Sequence, residues 1–431
     1  MTVTSEAPGK SVSQGFAAWA SSSMDAVRRT AERPLTSYYL LLGTTTMLLA
    51  IGLMMVLSAS SVYSYLYHDH NSYYVFFKQL TWVIIALPAA FLASRMNRRL
   101  LRLLAWPAVG VSIALLALTQ TGLGFAVNGN RNWLALGPLT VQPSEIAKLS
   151  IIIWAADVYA RKERLLGNPW QALVPVAPVV AMIAALVVFE HDLGTALVLF
   201  AILLGLLWVV GVPARLFGIA LSLVGVVAFY LAASNAERRS RLTSFIDPFK
   251  DFQGHGWQAG HGLLGMSSGG IFGKGLSASQ QKWGTLPEAH TDFIFAVLGE
   301  ELGLVGTLLV LALFGAMAYA AIRLALNTAD PFVRYVSAGI MIWLMSQMLI
   351  NIGMVLALLP VIGIPLPLVS YGGSALVPSL VGLGLLVGFA RSEPEAAAAL
   401  ADRRRARSKK RSTNPFAVSA GSARVRGRGR G

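Results

Sequence analysis

TLPEAHTDFIFAVLGEELG, residues 285–303, brings three carboxylates, Asp292, Glu300 and Glu301, to the start of an apolar segment. An ionisable side chain at membrane depth is costly unless it is paired or hydrated, so such groups read first as functional candidates. Only 13% of the residues are charged and 55% are hydrophobic, and the mean hydropathy is +0.62. In such a chain, a carboxylate at the mouth of a bilayer cavity suggests chemistry done at the membrane surface.

Outward from this stretch, apolar runs recur at the ~20-residue length that carries a helix across a bilayer. They lie near residues 38–60, 74–94, 102–120, 143–160, 171–189, 193–211, 214–234, 293–322, 335–359 and 367–390. This predicts an all-α polytopic membrane protein of about ten transmembrane helices, residues 38–392. A large outer loop, 235–291, separates segments seven and eight. Residues 1–37 and the basic 393–431 read as disordered tails. The first segment is too long, and too far from the start, for a cleaved signal peptide. With no cysteine, disulfides, thiolate metal sites and cysteine nucleophiles are excluded.

Most of the 35 lysines and arginines fall in the two tails and in alternate short turns. Short positive loops stay in the cytoplasm, so both termini are expected there. The exceptions are Lys78, Arg131, Lys148 and a set in the large loop: Arg238, Arg239, Arg241, Lys250, Lys274 and Lys282. A basic external loop suits an anionic ligand or headgroup as well as a solvated surface. The same loop is glycine-rich, consistent either with backbone N–H groups ringing an anion or with simple flexibility. Its GGIFGKG segment fails as a P-loop, because Ser268 stands where a glycine is needed and Gly275 replaces the Ser/Thr.

Three further clusters stand out. In QPSEIAK, residues 142–148, Glu145 and Lys148 share a helical face and can neutralise each other as a structural pair or contact substrate. Glu190-His191-Asp192 occupies a short outer turn. In LPVIGIPLPLVSYGGSALV, residues 359–377, three prolines and Gly372-Gly373 break helical structure at membrane depth. Such backbone survives when buried in protein or lining a wet cavity, so Ser370, Tyr371, Gly372 and Gly373 read as a cavity wall. Gly384 and Gly388 form a small-xxx-small packing pair. The histidines show no metal-ligand spacing, and His290 is placed to orient a hydrogen bond near Asp292.

The segments VNGNRNWLALGPLTVQPSEIAK, DLGTA, SSGGIFGKGLSASQQKWGTLPEAHTDFIFAVLGEELGLVG and NIGMVLALLPVIGIPLPLVSYGGSALV resemble, in order and spacing, the SEDS family (shape, elongation, division and sporulation). The likeness spans about residues 38–392 and is closer to the family's division branch than to its elongation branch. It implies a SEDS-type ten-helix bundle that polymerises lipid II into peptidoglycan strands beside a class B penicillin-binding protein and other division proteins. It also implies a plasma-membrane location enriched at the septum. The family's essential aspartate falls on Asp292, its glutamate and lysine on Glu145 and Lys148, and its Asp-Leu-Gly aspartate on Asp192. Two departures stand out. Asn132 replaces an arginine common before the tryptophan, with Arg131 one position earlier, and Glu190-His191 replaces a common Gln-Pro.

Forming a β-1,4 bond from an α-linked lipid diphosphate is one inverting displacement. It needs a base for the acceptor hydroxyl, and a single carboxylate such as Asp292 suffices. Diphosphate leaves readily, so no paired acid is needed, unlike most glycosidases. Positive charge near the leaving group is needed, and Arg131, Lys274 and Lys282 are the expected sources. Glu145, Lys148, Asp192, His290, Glu300 and Glu301 are expected to support the site. A divalent cation, Mg or Mn, held by carboxylates would serve the same end, although spacing specifies no metal ligands. No nucleotide, flavin or haem is expected, and neither is nucleic acid as a partner; membrane lipid is. A lipid II flippase, a non-catalytic division scaffold and an elongation-type polymerase are the alternatives.

Overall fold

The computed structural model describes residues 34–127, 130–137, 139–233, 247–254 and 256–412. Residues 40–389 form one unit, and the described residues flanking them belong to a second. The basic loop residues Arg238, Arg239 and Arg241, and the tails 1–33 and 413–431, lie outside the described residues.

Among the described residues, ten helices stand where the apolar runs predict them. They are α1 (Thr36–Tyr67), α2 (Tyr74–Ala93), α3 (Arg98–Thr119), α4 (Pro143–Arg161), α5 (Pro169–Phe189), α6 (Leu193–Val210), α7 (Ala214–Ala233), α9 (Ile294–Asn327), α10 (Pro331–Val355) and α11 (Gly373–Ser392). The twelve-residue α8 (Trp257–Ser268) lies within the expected large loop. A last helix, α12 (Pro394–Ser412), begins the expected basic tail, where sequence reading has no structure. Its PEAAAAL opening is rich in strong helix formers.

Eight of these helices are long and apolar enough to cross a membrane. α4 is not among them, since it carries Glu145, Lys148, Asp157 and Arg161. It is almost wholly buried and packs against α3 and α10. Peripheral helices instead expose large apolar side chains, such as Leu103, Trp106 and Phe229, as lipid-facing surfaces do. α11 is likewise mostly inside the bundle. Its Gly384 and Gly388 lie against the backbone of Ala90 and Ser94, where a Cβ would strike carbonyl oxygens.

Local sequence sets the helix ends. Pro143, Pro169 and Pro331 occupy first turns, where the missing N–H costs nothing. Asn97, Asn168, Asp192 and Asp330 accept N-terminal backbone N–H bonds as caps. At the end expected to face the cytoplasm, buried Asp157 accepts from Arg102 at 2.6 Å and Arg161 at 2.7 Å.

One addition to an all-α reading lies between α3 and α4. The strands β1 (Gly124–Val127), β2 (Asn130–Leu136) and β3 (Leu139–Val141) form an antiparallel meander. These strands are too short for their period-2 pattern to stand out in sequence.

Candidate active site at a broken helix

α9 does not run straight. Gly303 has φ +67 and ψ −163 and separates a short segment ending in Glu300-Glu301-Leu302 from the long span beyond. The break is closed by the glycine-rich loop. Lys274 and Gly275 donate their backbone N–H groups to the carbonyls of Glu300 and Glu301, each at 3.0 Å. In return, Leu304 and Val305 donate to the carbonyls of Gly270 and Ile271. A Cβ on Gly269, Gly273 or Gly303 would lie within 2.3 Å of backbone atoms across this junction. The glycines therefore let two backbones meet and satisfy the groups that a helix break exposes. Neither an anion ring nor flexibility accounts for them.

The two carboxylates at the break are spoken for. Glu300, fully buried, accepts from Lys274 Nζ at 2.8 Å and Ser279 Oγ at 2.6 Å. It accepts further bonds from Ser268 Oγ and from the backbone N–H groups of Gln280 and Gln281. Glu301 accepts from Ser58 Oγ at 2.6 Å and pairs with Lys282 at 3.6 Å. Lys282 is itself only 6% exposed and donates to the Ser277 carbonyl at 2.6 Å. The geometry makes Lys274 and Lys282 braces for the loop through Glu300 and Glu301; Lys282 is buried, whereas Lys274 keeps an exposed side.

Asp292, at the other end of the short segment, is different. It is partly accessible, and among the described residues no side chain or backbone group donates to its carboxylate. Its backbone is fixed instead: Asn351, buried in α10, donates through Nδ2 to the carbonyls of Asp292 at 2.8 Å and Ile364 at 2.7 Å. This ties the start of α9 to the proline-rich segment 356–372. Gly363, at φ +78, faces Asp292 Oδ2, to which a Cβ there would approach within 3.4 Å. Loss of surrounding water, then the charges of Glu288 and Asp192, push the Asp292 carboxyl up to about 7. Such a group is an acceptor poised to take a proton near neutral pH.

Asp192 joins the neighbouring elements. Its Oδ2 accepts from Asn132 Nδ2 at 3.1 Å, Gln142 Nε2 at 2.9 Å and Thr195 Oγ1 at 2.9 Å, while Oδ1 takes the Thr195 N–H. Gln142 N–H in turn donates to Ser374 Oγ at 2.6 Å, reaching the start of α11. Strand alternation puts Arg131 and Asn132 on opposite faces, so Arg131 does not take the place of a side chain at position 132. Asn132 points inward and is buried, whereas Arg131, one residue earlier, faces the exposed side. There it donates to the carbonyls of Thr121 and Gly124.

A family model for cell cycle proteins of the FtsW/RodA/SpoVE type matches residues 39–395. The chain belongs to this family. It is 42% identical over 369 residues to the probable peptidoglycan glycosyltransferase FtsW of Mycobacterium tuberculosis, covering 85% of this chain and 70% of that protein. It is 36% identical to stage V sporulation protein E of Bacillus subtilis, covering 82% and 96%. Among solved structures it is similar to the rod shape determining protein RodA of Thermus thermophilus (TM-score 0.60, 30% identity, 83% of this chain and 97% of that one). It is also similar to one described as "Structural coordination of polymerization and crosslinking by a peptidoglycan synthase complex" (TM-score 0.66, 29% identity, 82% and 97%).

The remaining expected residues of this FtsW/RodA/SpoVE-type protein frame the same face. Ser370 Oγ accepts from the Leu366 N–H, bracing the irregular segment. Tyr371 donates its N–H to the His290 carbonyl at 3.0 Å, and the His290 ring lies between Tyr63 and Tyr371. Burial pushes the His290 imidazole down, partly countered by Glu288, so it stays neutral at physiological pH. Gly373 gives way to Trp82, which a Cβ would overlap, whereas a Cβ on Gly372 would meet only the Ala375 side chain, at 4.0 Å. Glu145 and Lys148 form a buried pair of 2.7 Å, away from water, with the ammonium over the Trp343 ring. Sequence reading missed Gln79, which donates to the Ser370 carbonyl and accepts from the Gly372 N–H. It also missed Asn351 and Ser374; each is a single polar side chain within or beside an apolar run, the only signal available.

Proposed function

We propose that this family member, a multi-pass membrane peptidoglycan glycosyltransferase, polymerises lipid II in a single inverting displacement with Asp292 as general base. The acceptor 4-hydroxyl oxygen bonds to the anomeric carbon as the carbon–diphosphate bond breaks. The electron pair leaves with undecaprenyl diphosphate, and the hydroxyl proton passes to the Asp292 carboxylate. One observation carries this reading: among the described residues Asp292 is a carboxylate without a donor, with its backbone clamped by Asn351, titrating near the pH at which it must work.

Arg131, exposed on β2, supplies positive charge toward the diphosphate. Lys274 and Lys282 act at one remove by holding the loop that sets Asp292. Ser370, Tyr371, Gly372 and Gly373 line the wall along which substrate lies. A divalent cation, Mg or Mn, would add charge stabilisation at the departing diphosphate; among the described residues no three His, Cys, Asp or Glu side chains converge to hold one. The likeness to a chain from a peptidoglycan synthase complex supports a class B penicillin-binding protein as partner. The positive short loops support cytoplasmic termini, and the FtsW-named relatives support action at the division septum.

The test is glycan formation from externally supplied lipid II by the purified, partner-bound protein. Asp292→Asn should lower the rate about 10²–10⁴-fold, the range for loss of a general base. Parent-like polymerisation by a folded variant would refute the assignment. Transport of lipid II without polymer would favour a flippase.

A further inference from the structure

We infer that Glu190 is held as a neutral carboxylic acid and acts as a positioning residue for Asp192, so that loss of its proton switches the neighbouring site off. This rests on the polymerase reading above and adds a regulatory group to it.

Thr119 Oγ1 lies 2.7 Å from the Leu116 carbonyl oxygen and also bonds to Glu190 Oε1. A hydroxyl has one hydrogen and two lone pairs. One hydrogen thus faces two acceptors, and a proton on Glu190 satisfies both, since no other donor among the described residues reaches its carboxyl. Glu190 is also 0% exposed, and among the described residues its Oε2 has no hydrogen-bond partner. An ionised carboxylate left that way would be far costlier than a neutral acid with one bare carbonyl. Burial, with the charge of Asp192 in support, pushes this carboxyl up to about 7 despite the Thr119 bond.

Among the described residues, no cation on the elements packed against Glu190 offsets the charge. α5 packs against α3, α4 and α6. α3 ends there in neutral Thr119, with Gln120 beyond it. α6 has no titratable side chain, and α4 opens with the closed Glu145–Lys148 pair. On its own turn stand His191 and Asp192, and on β2 stands Arg131, engaged by two carbonyls.

The consequence reaches the site through a short turn. His191, between the two carboxylates, holds φ +66, a conformation a non-glycine residue keeps only when its surroundings impose it. Glu190 anchors one end of the turn to α3. Asp192 anchors the other to β2 and α4, and its charge acts on Asp292. A second negative charge on Glu190, buried beside Asp192, would drive this turn apart.

The experiment is the pH dependence of lipid II polymerisation by the full-length, partner-bound parent and Glu190→Gln. In the parent, the rate should rise as Asp292 ionises and fall as Glu190 does. Glu190→Gln should match the parent at pH 6 within about twofold and exceed it by about tenfold at pH 8.5, its alkaline limb displaced or gone. The same alkaline fall in both proteins, no fall in the parent, or a folded Glu190→Gln inactive at pH 6 would each overturn the inference. A second readout needs no turnover: the infrared difference between parent and Glu190→Gln at pH 6 should contain a protonated-carboxyl band. Carboxylate bands alone would refute it. If the parent makes no glycan at all, the polymerase reading fails while the infrared result still decides the state of Glu190.

Discussion

Asp292 and Glu300 sit at opposite ends of one short helical segment, and their surroundings are opposites. Glu300 collects five donors and is sealed from water. Asp292 has none among the described residues and stays partly accessible, although the backbone beneath it is held by Asn351. Saturating a buried charge turns it into structure, since it can no longer accept anything else. Leaving a carboxylate unsatisfied, on a rigid base, costs stability and keeps an acceptor ready for a substrate proton. The same contrast divides the cations: Lys148, Lys274 and Lys282 face carboxylates, while Arg131 faces outward.

The contrast can be broken in several ways. The largest effect is expected at Glu300→Ala, which strands Lys274, Ser279 and two backbone N–H groups. It should lower stability by about 3–5 kcal/mol, the cost of breaking a buried charged network, measured as thermal unfolding in detergent. Parent-like unfolding would mean that the break does not depend on Glu300. Lys148→Met should cost a similar amount by leaving Glu145 alone. Adding Glu145→Gln should recover most of it, and a double-mutant cycle reads that coupling directly.

Asp292→Asn should do the reverse and stabilise the protein. The Asp292 carboxyl titrates at about 7 when folded, above the ordinary 3.8. The unfolded chain therefore ionises first, and stability is lost as pH rises from about 4 to about 7. The variant should escape that loss and gain roughly 1–4 kcal/mol above pH 7, with no gain below pH 4. An Asn variant less stable than the parent at pH 8 would show that Asp292 is structural. The smallest effect is expected at Arg131→Ala. As an exposed residue bonded to two carbonyls, it should change stability by only about 0.5 kcal/mol, while KM for lipid II rises more than kcat falls.

Much of the fold was legible because its signal is cumulative. An apolar run of a span's length survives small errors, and each of the ten runs meets a helix within a few residues. The break at Gly303 was not legible, since LGEELGLVG keeps a helical pattern and the interruption comes from pairing with residues 270–275. For the same reason, the loop glycines looked like a ligand cradle or a flexible tether. Asp292, Asp192 and the Glu145–Lys148 pair stood out as ionisable groups in apolar surroundings. The direction a cation faces did not. Lys274 and Lys282 suggested phosphate contacts because a sequence records charge but not what neutralises it. That Arg131 and Asn132 face opposite sides was hidden in a strand too short to recognise.

The most direct test is the acid limb of the pH–rate profile for glycan formation, measured as kcat/KM on lipid II with the partner-bound protein. An unsatisfied Asp292 acting as base predicts a rate that rises about tenfold per pH unit below a midpoint near 7. A rate that is flat from pH 5 to 7.5 would contradict it.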